Sequence, residues 1–96
     1  MIKVKELLDA QNSQNISVAL VKLDGINKKN KNKKSDMFYF ILEGRGIFNV
    51  EGKEYHVKKN CLIVVPKNTI YFDKGKMKML SFCSPRFDPN SVEYLD

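Results

Sequence analysis

A chain of 96 residues is long enough to bury one hydrophobic core and too short for two, and an apolar content of 43% beside 29% charged residues excludes a disordered segment as the default. The net charge of +6 comes chiefly from lysine. Arginine occurs only at Arg45 and Arg86, and no aromatic lies in the lysine-rich stretch 27–34, so the stacking and base contacts of a nucleic-acid module are not expected.

From the N-terminus, Ile2 and Val4 alternate with lysine as a short edge strand, and ELLDA (6–10) follows as a helical turn. Acidic Glu6 and Asp9 fall where a secretory signal needs a clean apolar stretch, and no apolar run nears the roughly 20 residues that span a bilayer. A cytoplasmic protein without a membrane partner is expected. ISVALVKL (16–23) is a strand that ends at the turn signal Asp24-Gly25. NKKNKNKK (27–34) reads as a solvated connection. MFYFILE (37–43) is a continuous apolar run, the pattern of a strand covered on both faces.

GRG (44–46) marks a sharp bend before IFNV (47–50). Glu51-Gly52 then joins it to KEYHV (53–57) as a two-residue hairpin, with glycine where φ is positive. CLIVV (61–65) is a strand stopped by Pro66, which has no N–H to give to a ladder. TIYFD (69–73) and KMKMLSFCS (76–84) are strands separated by Gly75, and the tail from Pro85 is an extended strap with Phe87 or Tyr94 tucked against the body. Seven or eight short strands with frequent turn signals and no long helix make an all-β sandwich or barrel, one domain over 1–96.

Cys61 and Cys83 are too few for a disulfide framework and are expected as buried free thiols. Lone His56 and two distant cysteines give no zinc-binding spacing.

FYFILEGRGIFNVEGKEYHV, NCLIVVPKNTIYF and SFCSPRFDP, within residues 30–89, resemble the motifs of the cupin superfamily in its small single-domain form. The resemblance implies a jelly-roll β-barrel, here with a short N-terminal helical turn, and in many members a divalent metal held by two His and a Glu of one motif and a His of a second. At the matching positions this chain has Met37 for the Glu, Tyr71 for the second-motif His, and either Lys31 and Lys33 or Asn30 and Asn32 for the His pair. Ammonium groups offer no lone pair and repel a cation, a thioether is soft and weak, and a phenol titrates near 10. No metal and no cofactor are therefore expected, apart from an unconventional arrangement around Asp73 and Cys83. Asn60 and Asn68 replace glycines of the pattern and preserve left-handed turns.

Alternation puts Met37, Tyr39 and Ile41 on the inner face, joined by Thr69, Tyr71 and Asp73. Two readings follow. These side chains fill the barrel, or their polar groups hold a small polar ligand such as a sugar, with Lys31 and Lys33 over the mouth favouring an anion. Metal-independent isomerases and epimerases of the superfamily offer an enzymatic alternative, with Tyr71 and Asp73 as the acid–base pair. The resemblance also implies a homodimer, in which Phe38, Phe40 and Leu42 face a subunit interface or pack beneath the N-terminal strand.

Overall fold

The computed structural model of the chain describes residues 2–8 and 15–95. Within them run β1 (Ile2–Leu8), β2 (Ser17–Asn32), β3 (Asp36–Val50), β4 (Lys53–Lys58), β5 (Leu62–Val65), β6 (Tyr71–Ser84) and β7 (Val92–Tyr94). All pairings are antiparallel. The sheet order is β1-β2-β6-β3-β4, with β5 added to β3 and β7 to β2. Among the described residues a single 3-10 turn, Pro89–Ser91, precedes β7, and Asp88 caps it by accepting the Asn90 N–H at 3.0 Å. No helix among the described residues is long and apolar enough to cross a membrane.

The N-terminal helical turn is not formed as expected. Glu6 continues β1 opposite Ala19, and Leu8 pairs with Val18 after a register shift. Strand pairing satisfies backbone groups that a single helical turn would leave open. Asp9 and Ala10 lie outside the described residues.

The second correction concerns the lysine-rich stretch. Residues 27–32 are not a loop but the end of β2, which runs through Asp24-Gly25 and pairs with β6 up to Asn30↔Tyr71 and with β7 from Asn30 to Asn32. Likewise GRG and Gly75 interrupt no strand. β3 passes through Gly44 with a register shift between Ile41 and Glu43, and β6 passes through Gly75. Gly75 of β6 is the register partner of Gly25 in β2 on one side and of Gly46 in β3 on the other. A Cβ at Gly75, where φ is +135°, would stand 2.6 Å from the Arg45 carbonyl oxygen.

The turn chemistry follows the sequence. Glu51 and Gly52 both take positive φ, 51° and 84°, in the β3–β4 hairpin, the signature of a type I′ turn. Asn60 and Asn68 adopt φ of 74° and 63°, and β5 ends at Val65 before Pro66. Buried side chains alternate along β3 as Met37, Tyr39 and Ile41, and along β6 as Tyr71, Asp73, Met77, Met79, Ser81 and Cys83. One inner face therefore carries the core.

Candidate functional site

Two ends of the inner face differ. At one, Ile41, Phe48 and Met79 are wholly buried and pack with Met77 into a dry core. At the other a cavity of about 260 Å³ remains open. Phe48 separates the two, lying 5.1 Å from the Tyr39 ring and stacked at 6.5 Å on Tyr71. The barrel is thus filled at one end and hollow at the other.

Met37, Tyr39, Tyr71 and Asp73 all line the cavity, brought together by the β3 and β6 alternation. Ile41 belongs to the dry core instead, and Thr69, although buried, precedes β6 and does not line the cavity. Lys31 and Lys33 stand outside. They fall on the opposite parity to Asn30 and Asn32, which are buried and line the cavity. The Lys31 ammonium lies 3.9 Å from the Glu93 carboxylate, and Lys33 is exposed.

The sequence matches Asn30 and Asn32 to one of two alternative His-pair positions but names neither them nor Asn27 as cavity residues, because Lys and Asn alternate as two polar residue types, without the hydropathy contrast by which a strand is read. Their roles are distinct. Asn32 accepts the backbone N–H groups of Lys34 and Ser35 through Oδ1, at 3.0 and 2.8 Å, and turns Nδ2 toward Met37 Sδ at 3.8 Å and Cys83 Sγ at 4.0 Å. Asn30 donates Nδ2 to the Lys28 carbonyl at 2.8 Å. Asn27 donates Nδ2 to Asp73 Oδ1 at 3.0 Å.

The tyrosine hydroxyls of Tyr39 and Tyr71 are hydrogen-bonded to one another. Burial raises both above the usual phenol range, and the charge of Asp73 adds to the rise, so both keep their protons and remain donors. Burial also pushes the Asp73 carboxyl up to about 6, against the Asn27 hydrogen bond, which favours the charged form. The Cys83 thiol is raised by burial as well. Cys61 and Cys83 are free, the first half-buried and the second buried.

This wall does not fit the divalent cation of the family pattern. Asn32 has committed its oxygen to backbone N–H groups and presents an N–H donor, which repels a cation, while Met37 and Tyr71 stand where other ligands would be. Among the described residues no three of His, Cys, Asp and Glu converge. His56 lies on β4 with its side chain 76% exposed, near Glu54.

The tail closes the mouth rather than the core. The sequence expects Phe87 or Tyr94 against the body; both line the cavity from outside, 39% and 66% exposed, with β7 holding Tyr94 opposite Asn30.

No family model matches the chain. Uncharacterized protein MJ1618 of Methanocaldococcus jannaschii is 26% identical over 87 residues, 86% of this chain and 70% of its own length. Among solved structures, Streptomyces Pac13 with uridine superposes with a TM-score of 0.91 at 22% identity, covering 99% of this chain and 78% of that one. The same Streptomyces protein is described as a nucleoside dehydratase. KdgF from Halomonas sp. matches with a TM-score of 0.80 at 17% identity, over 91% of this chain and 81% of that one. The cupin domain of Schizosaccharomyces pombe Cnp3 matches with a TM-score of 0.78 at 18% identity, over 88% of this chain and 64% of that one. With the antiparallel topology and the alternation of β3 and β6, these likenesses establish that the chain has the cupin fold.

Proposed function

We propose that this protein binds a small polyhydroxylated molecule, a sugar or the ribose of a nucleoside, in the cavity beside Asp73. The division of the cavity wall carries the reading. Polar groups converge from β2, β3 and β6 (Asn27, Asn30, Tyr39, Tyr71, Asp73), while Val4, Val21 and Leu23 form an apolar flank. Few convergent polar groups against apolar walls are what a small-molecule site requires. A volume of about 260 Å³ suits one monosaccharide or nucleoside and is too small for an oligosaccharide. The likeness to a Streptomyces protein with bound uridine supports the nucleoside alternative. Free thiols at Cys61 and Cys83 fit a reducing, cytoplasmic setting.

Thermal unfolding with millimolar uridine, ribose or glucose tests the reading. A ligand that binds only the folded chain raises the midpoint, by about 2.7 kcal/mol of stabilisation when present at 100 times its Kd. No shift with any of the three sinks the proposal. One observation also favours a metal-independent, isomerase-type acid–base role: Asp73, at about 6, lies close to the working range of a general base and shares its strand face with Tyr71. Conversion of the ligand in the same samples, followed by NMR, separates turnover from binding.

A further inference from the structure

Charge is distributed unevenly between the outside of this protein and its cavity. The chain carries +6, yet among the described residues no lysine, arginine or histidine lines the cavity. Its charged side chains are Asp73, only 3% exposed, and Glu6 on the β1 side. The Asp73 carboxylate is met by the Asn27 amide and by its own backbone N–H, and among the described residues no cation pairs with it. A carboxylate withdrawn from water is strongly disfavoured unless a cation or several donors replace the lost solvation. Two neutral donors do only part of this.

We propose that the ligand itself supplies the missing cation, a protonated primary amine that pairs with Asp73, so that the cavity selects amino sugars and related amines over their neutral and anionic counterparts. The inference rests on the reading of the cavity as a site for a polyhydroxylated molecule and adds the charge of that molecule. Three features converge on it. An ammonium group brings three donors to a carboxylate that lacks a charged partner, and charge-assisted hydrogen bonds are about twice as strong as neutral ones. The hydroxyls of Tyr39 and Tyr71, hydrogen-bonded to one another, border the same space, and a phenol oxygen can accept from an ammonium group. An anionic group would instead be desolvated beside Asp73 with no cation to receive it.

Isothermal titration of the full chain with glucose, glucosamine and glucuronate at about pH 7 tests this. Glucosamine is expected to bind at least about tenfold tighter than glucose, and glucuronate not measurably. Glucose binding as tightly as glucosamine overturns the inference and leaves the polyhydroxyl reading standing. Failure of all three sugars, together with uridine and ribose, removes both.

Asp73→Asn should bring the ratio of the two affinities to about one; a preserved ratio assigns the preference to Glu6 and overturns the role of Asp73. Wild-type pH dependence gives a second readout that needs no variant. The titratable groups facing Asp73 across the cavity are Glu6 of β1, Tyr39 of β3, Tyr71 and Cys83 of β6 and Tyr94 of β7. Tyr39, Tyr71 and Cys83 are shifted upward and stay protonated. The preference for glucosamine should therefore fade as Asp73 takes up its proton near pH 6, and a ratio unchanged between about pH 7 and pH 5 counts against the pairing.

Discussion

Asp73 holds a carboxyl where water solvates it poorly, so folding competes with its ionisation. Its pKa of about 6 stands against an ordinary value of 3.8. Below the ordinary value both folded and unfolded chains carry the proton, and the group does not discriminate between them. As pH rises from there to about 6 the unfolded chain releases the proton first, and stability falls; above that range the penalty is constant, on the order of 2–3 kcal/mol. Asp73→Asn removes this titration. Its stability relative to wild type, measured by urea unfolding, should improve progressively between about pH 4 and pH 6 and level off above. A difference that stays flat across that window would show that the carboxyl is solvated in the folded chain. The positions of Met37, Tyr39, Tyr71 and Asp73 were legible in the sequence because each sits in a strand with two-residue alternation. Asn30 and Asn32 were legible only as one of two alternative pairs, and Asn27 was not legible at all. A buried amide is tolerated through specific partners, such as the backbone N–H groups at Asn32 Oδ1, and local sequence does not name those partners.

At the scale of elements, glycine misled in one place and informed in another. Glu51-Gly52 gave the hairpin correctly because a two-residue turn between strands requires positive φ at both positions. Gly25, Gly46 and Gly75 looked like strand ends, yet they lie inside β2, β3 and β6 as register partners. The distinction is tertiary: what excludes a side chain at Gly75 is backbone of β3, some thirty positions earlier in sequence. Alanine substitution should separate the two uses. Gly52→Ala meets open space and only the conformational penalty of positive φ at 84°, about 1–2 kcal/mol. Gly75→Ala adds a methyl carbon 2.6 Å from the Arg45 oxygen and the Gly46 Cα, so the strands must part, and the loss should exceed about 3 kcal/mol. Equal midpoints for the two variants in chemical denaturation would contradict the close approach of β6 and β3. The strand that the lysine-rich stretch concealed follows the same logic, since its pairing with β6 and β7 lies far along the chain.

For the whole molecule, the outer face of the sheet is the feature that burial leaves unexplained. Leu20, Leu80, Phe40 and Leu62 are register partners in one row across β2, β6, β3 and β5, and Phe82, Phe38 and Val64 extend the next row. Leu62 is 57% exposed and Val64 45%. Beyond them on the same face Lys3, Lys22 and Lys78 pair side by side, which places a charged border beside an apolar centre, the anatomy of a protein interface. Contiguous apolar patches of this kind are uncommon on monomers. Pairing with a second copy of the chain is the proposed way of covering it, a standard interface burying roughly 800 Å² per partner. Sedimentation equilibrium at micromolar concentration should give twice the 11.1 kDa chain mass. Phe82→Glu puts a charge in the middle of the apolar rows and should reduce the mass to one chain while the far-ultraviolet spectrum and the glucosamine titration stay unchanged, because Phe82 points away from the cavity that Cys83 lines. A wild-type chain that sediments as a monomer removes the pairing, and a Phe82→Glu dimer would move it to another surface.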